Sequence, residues 1–378
     1  MSSERVYRPT WAEVRLDAIR ENARALAELG KRKGVELIGV VKADGYGHGA
    51  VASAKAALEG GVKALAVALV EEGIELRRAG IAAPILVMGA YVPGTAAAYS
   101  EYGLEATVSD FEQLRSLAAA AELGHSPVMV HLKVDTGMGR LGVLPGEAVA
   151  LAEEAARSQG VELRGVYSHL ATADEEEGAY ARTQIALFEQ VLECLRSRGI
   201  EPPVRHVLNT GGLLQHSAGS TNFARVGLGL YGLYPSEHLR KYVKLRPALS
   251  WKCRVAAVKR VPAGTPVSYG RTYVTAKETG LATIPVGYAD GFSRRLSGKV
   301  SVLIGGRRFP VVGRICMDQA VVDIDDAPVA PGDEVTLLGR QGEEEIPAEE
   351  WAAALESINY EVVCAISPRV PRLFVDER

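Results

Sequence analysis

Short apolar runs recur along the chain between residues 37 and 231, and alanine-rich stretches with helical periodicity separate them. Short apolar runs bounded by turn residues are typical of strands that are buried on both faces. Successive runs begin roughly 20 to 40 residues apart, which leaves room for one helix between each pair. The pattern predicts eight strands: Leu37–Lys42, Ala64–Leu69, Pro84–Met88, Ala106–Val108, Val128–Asp135, Leu163–His169, Val204–Leu208 and Arg225–Tyr231.

Eight alternating strands and helices can be arranged in two ways. Right-handed crossovers between parallel strands close such a series into a (β/α)8 barrel of the TIM type. A doubly wound open sheet is the alternative that the same alternation allows. We expect the barrel, because the series contains the number of strands that the closed arrangement requires.

The segment before these runs has a different pattern. Residues Trp11–Leu16 alternate between apolar and polar, which predicts a half-exposed strand. A helical pattern follows from Asp17 to about Leu29, with Asp17 as the expected N-cap. Gly30 comes directly afterwards and is expected to end this helix.

The pattern changes again after about Tyr242, where prolines punctuate short β-branched runs. Strands joined by turns, without long helices between them, indicate a second and mostly β domain. One helix is expected within it, at about Pro347 to Leu355. The chain is therefore expected to form a barrel domain over residues 12–242 and a β-rich domain over residues 243–378, with residues 1–16 as a candidate extra strand of the second domain.

A barrel places its reactive residues in the loops at the carboxyl ends of its strands. In this chain, candidate residues end or follow the first, fifth, sixth and seventh apolar runs, and a further pair lies at the eighth. A random scatter of polar residues would not favour strand ends in this way. The residues are Lys42; Lys133, Asp135 and Arg140; His169 and Asp174; Asn209 and Thr210; and Arg225 with Gly227.

Lys42 is the first of these candidates. It ends an apolar run and is followed by a glycine-rich segment, so a buried strand would deliver one amine to the open end of the sheet. Partial desolvation favours the neutral amine and suits Lys42 to forming a Schiff base with a carbonyl. The alternative is a lysine that extends its ammonium group into water and has no chemical role.

Composition narrows the classes of function. The formal net charge is −3 and no basic block is present, which argues against nucleic-acid and membrane-surface binding and favours a small-molecule site. Residues Met1–Thr10 are polar, and no apolar run reaches membrane-spanning length, so we expect a cytoplasmic protein. The cysteines are far apart and the histidines form no ligand-spaced pairs, so disulfides and a bound metal are not expected. The cysteines are Cys194, Cys253, Cys316 and Cys364.

The run from Val41 to Gly49 resembles the attachment signature for pyridoxal phosphate (PLP) in alanine racemases. Further matches occur in order along the chain, from about residue 10 to the C-terminus. They are Lys133 to Arg140, Ser168-His169, Asn209-Thr210, Ala224 to Gly227, Val267 to Gly270, Gly287 to Gly291, Arg314 to Asp318 and Asn359 to Glu361.

The resemblance implies a two-base racemase of L- and D-alanine that supplies D-alanine for peptidoglycan or a related pathway. Lys42 would carry PLP and act as one base. Racemisation removes a proton from one face of the Cα atom and returns one to the other face, so a second base is expected on that face. By the same resemblance that base is Tyr269, and the two bases would meet across the interface of an obligate homodimer.

The resemblance also assigns cofactor contacts. Arg225 would face the pyridine nitrogen, and an arginine, which only donates, would leave that nitrogen unprotonated and weaken the electron sink. We hypothesise that proton return then competes better against transamination. His169 would pack against the cofactor ring, and Asn209 belongs to the same motif as Thr210. The implied phosphate contacts are Tyr46, Thr210, the backbone at Gly227 and Leu228, and Tyr360.

The implied substrate contacts come from both domains. Arg140 resembles the residue that binds the substrate carboxylate and the phenolic oxygen of the cofactor, a role that suits a bidentate cation. Lys133 resembles a lysine that is carbamylated in some relatives, and a carbamate would pair with Arg140 where an ammonium would repel it. The β-rich domain would contribute a turn that restricts the side chain of the substrate, and an entrance residue. These are Cys316, Met317 and Asp318, and Tyr288.

Three other functions fit parts of this pattern. A racemase for another or a broader range of amino acids is possible, because few substitutions change a pocket's preference. A barrel-fold PLP decarboxylase also joins a barrel to a β domain, but it would favour a carboxylate over Arg225 at the pyridine nitrogen. A non-catalytic PLP-binding protein would account for Lys42 but not for Tyr269. Release of CO2, or a bound cofactor without turnover, would distinguish the last two.

Overall fold

The computed structural model of the protein describes residues 7–124 and 127–376. The chain divides into two compact units. The barrel unit contains residues 18–45 and 49–246, and the β unit contains residues up to 17, residues 46–48 and residues from 247 onwards. The domain boundaries expected from the sequence, 12–242 and 243–378, stay a prediction.

The barrel unit is built on a closed ring of eight parallel strands. Strand β1 (Thr10–Arg15) precedes the ring and belongs to the β unit. The ring closes because the first of its strands pairs with the last, in a register that places Gly39 beside Val226. The predicted (β/α)8 barrel is confirmed, and the open sheet is excluded. The strands are β2 (Glu36–Val40), β3 (Ala64–Val67), β4 (Ile85–Val87), β5 (Glu105–Val108), β6 (Val128–Lys133), β7 (Val161–Tyr167), β8 (Val204–His206) and β9 (Phe223–Val226).

Helices fill the connections between these strands. Most carry alanines on their buried side, as in α3 and α7, so that they can approach the sheet closely. No helix among the described residues is long and apolar enough to cross a membrane. The helices are α1 (Leu16–Arg32), α2 (Lys42–Tyr46), α3 (Ala50–Glu59), α4 (Val70–Arg78), α5 (Ala96–Tyr102), α6 (Phe111–Gly124), α7 (Pro145–Arg157), α8 (Ala179–Ser197) and α9 (Thr210–Gln215), with 3-10 turns at Leu228–Tyr231 and Glu237–Lys241.

The predicted ends of α1 are wrong. The helix begins one residue before Asp17, which therefore lies in the first turn and does not cap it. It also continues past Gly30 to Arg32, and the residue that turns the chain is Gly34, with a φ of 74°. Gly30 serves a different purpose, since a Cβ atom there would lie 2.7 Å from the carbonyl oxygen of Val35. A glycine needed for close backbone approach resembles a helix stop in the sequence.

The β unit is a large mixed sheet in the order β11-β14-β17-β16-β15-β18-β10-β1-β20, with β19 beside β18 and a separate hairpin of β12 and β13. Strand β1 lies antiparallel to β10 and parallel to β20. The strands are β10 (Leu249–Arg254), β11 (Ala257–Val261), β12 (Pro266–Val267), β13 (Tyr273–Val274), β14 (Thr279–Ile284), β15 (Ser301–Ile304), β16 (Arg307–Val312), β17 (Ala320–Asp325), β18 (Glu334–Gln341), β19 (Glu344–Ile346) and β20 (Arg372–Val375).

Two α-helices interrupt this sheet, although the sequence pattern predicted one. Helix α10 (Ala348–Leu355) is the expected one. Helix α11 (Asn359–Cys364) has six residues, too few for a 3.6-residue period to show in the sequence. Further 3-10 turns lie at Tyr269–Arg271, Tyr288–Asp290 and Arg294–Leu296.

Candidate active site

Lys42 follows β2 and opens a turn of left-handed backbone. The next four residues all have positive φ, at 51° for Ala43, 52° for Asp44, 61° for Gly45 and 54° for Tyr46. Left-handed conformation costs an L-amino acid about 1–2 kcal/mol per residue. Such a run persists only where surrounding contacts hold it. The backbone beyond Lys42 is therefore strained and must be supported from outside the turn.

Glu72 in α4 supplies part of that support. Its Oε1 accepts a hydrogen bond from the N–H of Ala43 at 2.6 Å, and its Oε2 accepts from the N–H groups of Ala68 and Leu69 at 2.7 and 3.1 Å. One carboxylate thus links the turn after Lys42 to the carboxyl end of β3. Glu72 is not among the candidates that the sequence pattern predicted. The available signal was its place three residues after Leu69, which is the capping-box spacing at a helix start.

Lys133 ends β6 and is buried, with 5% of its surface exposed. Its Nζ atom lies 4.3 Å from the centre of the Tyr167 ring. Burial, and then the charges of Arg225 and Arg140, hold the pKa of Lys133 well below its ordinary value, against an opposing effect of Asp135. The amine is therefore disposed to be neutral, which is the nucleophilic form.

Arg140 lies within the loop that follows Lys133 and is exposed. The loop is ordered by Asp135, whose Oδ1 accepts from the N–H groups of Gly137, Met138 and Gly139 at 2.9, 2.8 and 3.1 Å. Burial alone would raise the pKa of Asp135, but these backbone hydrogen bonds hold it below its ordinary value. An ionised Asp135 thus shapes the turn that carries Arg140.

Arg225 lies within β9 and is 3% exposed. Five hydrogen bonds leave from its two terminal nitrogens, and among the described residues its Nε–H has no acceptor. Burial lowers its pKa to about 10, so the guanidinium is still charged at neutral pH. The acceptors are His206 Nδ1 at 2.7 Å and its carbonyl at 3.2 Å, the Ser168 carbonyl at 2.7 Å, His169 Nδ1 at 3.1 Å and the Val207 carbonyl at 3.3 Å.

His169 is held by this guanidinium. Because arginine cannot accept, the Nδ1 of His169 is the acceptor and the proton of the neutral ring lies on Nε2. Burial first, and then the charge of Arg225, lower the pKa of His169 well below its ordinary value. Lys42 is among the charges that lower it further, which places Lys42, His169 and Arg225 in one electrostatic cluster.

Thr210 and Gly227 form a second group at the carboxyl ends of β8 and β9. Asn209 caps α9 by accepting from the N–H of Gly212 at 2.9 Å, so Thr210 becomes the first residue of the helix. The N–H of Gly227 donates to Thr210 Oγ1 at 3.1 Å. Leu228 then begins a 3-10 turn. A hydroxyl and backbone N–H groups that converge in this way suit an anion.

Two predicted residues meet in the β unit through aromatic contact. The rings of Tyr46 and Tyr360 have centroids 6.1 Å apart at an angle of 46°. Burial, and then the neighbouring Tyr360, raise the pKa of Tyr46, so its hydroxyl stays protonated at neutral pH. Gly47 allows this packing, because a Cβ atom there would lie 2.4 Å from the carbonyl oxygen of Val363.

Tyr269 lies in a turn of the β unit and is 70% exposed. The preceding Ser268 has a φ of 61°, and its Oγ lies 2.5 Å from the Arg314 carbonyl and 3.4 Å from Cys316 Sγ. The N–H of Tyr288 donates to the Cys316 carbonyl at 3.0 Å. These bonds gather the turn of Tyr269, the segment of Cys316 and the turn of Tyr288. Met317 and Asp318 continue that segment, and Asp318 accepts from Arg369 at 2.7 Å.

The predicted site residues therefore fall into both units. Those of the barrel unit are Lys42, Lys133, Arg140, His169, Asn209, Thr210, Arg225, Gly227 and Leu228; those of the β unit are Tyr46, Tyr269, Tyr288, Cys316, Met317, Asp318 and Tyr360. The predicted phosphate contacts divide between the units. Within the ranges 7–124 and 127–376, no three His, Cys, Asp or Glu side chains are arranged to hold a metal ion.

The barrel interior also contains polar residues that the sequence pattern did not predict as candidates. Tyr167 stacks on His206, with centroids 4.6 Å apart and planes within 1°, and its hydroxyl lies 2.8 Å from Thr107 Oγ1. His131 is buried beside them. These residues interrupt apolar runs in the sequence. That interruption was the available signal, because a polar residue in a buried strand needs a partner.

Two family models match the chain. "Alanine racemase, N-terminal domain" covers residues 14–235, and "Alanine racemase, C-terminal domain" covers residues 248–374. The chain belongs to the alanine racemase family.

Relatives match the chain over nearly its whole length. An alanine racemase of Symbiobacterium thermophilum is 50% identical over 371 residues, which is 98% of each chain. The crystal structure of an alanine racemase from Streptomyces lavendulae has a TM-score of 0.93 at 39% identity, with 98% of both chains covered. That of the Bacillus anthracis alanine racemase with bound L-Ala-P has a TM-score of 0.92 at 41% identity, covering 98% of this chain and 96% of that one.

The support of the left-handed turn can be tested with Glu72→Gln. The amide keeps only one acceptor oxygen. Its NH2 group would therefore face either the backbone N–H of Ala43 or those of Ala68 and Leu69, and a donor would meet a donor. We expect the free energy of unfolding to fall by about 0.5–1.5 kcal/mol, the net contribution of a hydrogen bond between partly exposed groups. Chemical denaturation measures this, and amide hydrogen exchange at Ala43 should accelerate.

Glu75→Gln is the matched control, because Glu75 lies on the same helix and is exposed. It should change stability by no more than about 0.5 kcal/mol. Equal effects of the two substitutions would show that Glu72 does not support the turn.

Proposed function

We propose that this protein interconverts L-alanine and D-alanine with PLP as its cofactor. The observation that carries the proposal is the cluster of Lys42, His169 and a buried Arg225 in a barrel that belongs to the alanine racemase family. The family's C-terminal domain is also present, which favours a racemase over a non-catalytic PLP-binding barrel. The Bacillus anthracis relative, 41% identical, is described with bound L-Ala-P.

The donor set of the barrel unit fits the cofactor. Lys42 would hold it covalently, while the Thr210 hydroxyl and the N–H groups of Gly227 and Leu228 would bind its phosphate. When bound, PLP supplies an electron sink that acidifies the Cα–H bond of an attached amino acid. The Nε–H of Arg225, which has no acceptor among the described residues, would donate to the pyridine nitrogen and keep it unprotonated. Tyr46 and Tyr360 of the β unit complete the proposed phosphate contacts.

Protons would be moved by two side chains. Lys42 Nζ would take or return the Cα proton on one face, and Tyr269 Oη would do so on the other. Tyr269 is 70% exposed on its own β unit, which suits a group that serves another chain. We therefore include a homodimer in the proposal, in which each active site takes Lys42 from one subunit and Tyr269 from the other.

Arg140 and Lys133 would orient the substrate. The guanidinium of Arg140 can bind a carboxylate through two parallel hydrogen bonds. The Nζ of a neutral Lys133 can form an N–C bond to CO2 and release one of its protons to solvent, and the negative charge of the resulting carbamate would pair with Arg140. The lowered pKa of Lys133 supports this step, because only the unprotonated amine reacts.

The β unit would select a small substrate. Cys316 and Met317 lie in a segment that hydrogen-bonds to the turn of Tyr288, and Asp318 continues that segment. Bulky side chains at this point would leave room for the methyl group of alanine and restrict larger ones. Supply of D-alanine for peptidoglycan or a related pathway, in the cytoplasm, completes the proposal.

The central test is a chiral-product assay of the PLP-loaded enzyme over a panel of amino acids. We expect L- and D-alanine to interconvert, with serine and larger amino acids turned over at least about tenfold more slowly, as a pocket limited by a methylene or more would give. Preferential turnover of another amino acid would show that this amino acid, and not alanine, is the substrate. Release of CO2 without racemisation would instead indicate a decarboxylase.

The two-base arrangement can be tested with mixed dimers of Lys42→Ala and Tyr269→Phe subunits that carry different purification tags. Each parent dimer should lose racemisation. A mixed dimer would contain one site with both bases, so its rate should recover to about half that of the wild-type dimer. Absence of recovery would contradict sites composed of two chains.

The carbamate on Lys133 can be tested by 13C NMR of protein equilibrated with 13C-labelled bicarbonate. We expect a carbamate resonance that disappears in Lys133→Gln. The variant should bind alanine more weakly, because Arg140 loses the anionic partner that orients its guanidinium toward the substrate carboxylate. A wild-type spectrum that matches the Lys133→Gln spectrum would show that Lys133 is not carbamylated.

A further inference from the structure

A line of polar side chains runs from Arg225 through the interior of the barrel. Arg225 NH1 lies 2.7 Å from His206 Nδ1, and His206 Nε2 lies 3.0 Å from His131 Nδ1. His131 Nε2 in turn lies 2.8 Å from Glu105 Oε2. Both histidines are fully buried, whereas the Glu105 side chain is 13% exposed. Glu105 is the first residue of β5, so the line ends at the amino-terminal end of the barrel strands.

The direction of these hydrogen bonds follows from Arg225. A guanidinium only donates, so His206 Nδ1 must accept. The proton of a neutral His206 then lies on Nε2 and is donated to His131 Nδ1. The same argument places the proton of His131 on Nε2, from which it is donated to Glu105. A doubly protonated His131 would instead place two N–H groups face to face.

Packing holds both rings in this arrangement. Tyr167 stacks on His206 with nearly parallel planes, and its hydroxyl bonds to Thr107. The His131 ring fits only because residue 165 is a glycine, since a Cβ atom there would lie 2.2 Å from His131 Nδ1. Neither ring can therefore flip, which would exchange the positions of its Nδ1 and Nε2 atoms, unless the barrel interior rearranges. Burial, and then the charge of Arg225, also hold the pKa of His206 well below its ordinary value, which keeps the ring neutral.

We propose that Glu105 is a positioning residue for Arg225, because its carboxylate is the terminal acceptor that, together with the guanidinium at the other end, holds both His131 and His206 as Nε2–H tautomers. The carboxylate accepts and cannot donate, so it permits one direction of hydrogen bonding along the line. That direction leaves a lone pair on His206 Nδ1 for the guanidinium. The effect on catalysis rests on the proposed function, in which Arg225 faces the cofactor; the assignment of the tautomers does not.

Neutron diffraction of the deuterium-exchanged protein tests the assignment directly. We expect deuterium on Nε2 of both His131 and His206 and on neither Nδ1. Deuterium on Nδ1 of either ring would overturn the proposal. Glu105→Lys replaces the acceptor with a group that only donates, and we expect it to move the His131 proton to Nδ1 or to break the contact with His206. Unchanged proton positions in this variant would also overturn the proposal.

Two further variants separate the acceptor from the charge. Glu105→Gln retains an acceptor oxygen and should keep both tautomers. Glu36→Lys makes the same change of charge at the start of β2, where the side chain is exposed, and should leave both histidines as they are. Loss of the tautomers in either of these variants would show that charge, and not hydrogen-bond acceptance, is responsible.

The functional consequence is measured on the PLP-loaded enzyme as the ratio of racemisation to transamination. We expect this ratio to fall about tenfold in Glu105→Lys, the rate equivalent of one lost buried hydrogen bond, and to stay at the wild-type value in Glu105→Gln and Glu36→Lys. An unchanged ratio in Glu105→Lys would contradict the positioning role even if alanine is racemised. A protein that shows the tautomers but does not racemise alanine would contradict the proposed function and leave the tautomer assignment standing.

Discussion

The buried guanidinium of Arg225 imposes the strongest constraint on the candidate site. A buried charge must be surrounded by hydrogen-bond partners, and because arginine supplies only donors, those partners must be acceptors. The acceptors come from the ends of two strands: Ser168 and His169 follow β7, and His206 and Val207 lie at the end of β8. Burial first, and then this charge, lower the pKa values of both His169 and Lys133, so both groups are disposed to be neutral.

The cluster around Arg225 consists of neutral bases beside one permanent cation. Such an arrangement favours anions that enter it, since Lys133, His169 and His206 are all disposed to be neutral, while Arg225 stays charged at neutral pH. A phosphate or a carboxylate would meet donors that need no reorganisation. The barrel holds these donors in place, because Arg225, His169 and His206 lie at or near strand ends and are joined by hydrogen bonds.

In the left-handed turn after Lys42, contacts from elsewhere in the chain override the local preference of the backbone. Ala43 and Asp44 adopt positive φ although neither is a glycine. The cost is offset by contacts that lie outside the turn, among them the Glu72 carboxylate and the bond from the Ala50 N–H to Asp44 Oδ1 at 2.8 Å. Strain that is supported in this way is common where a reactive group must be held in one position.

The sequence by itself determined the barrel, the β-rich second unit and the residues at the strand ends. Apolar runs, their spacing and the position of Lys42 are properties of neighbouring residues, and periodicity reports them directly. Only the tertiary structure decided that Gly30 serves close packing, that Glu72 supports the turn after Lys42, and that Glu105 and His131 connect to Arg225. These roles depend on contacts between residues far apart in the chain. A single glycine or glutamate carries no local sign of the partner that folding brings to it.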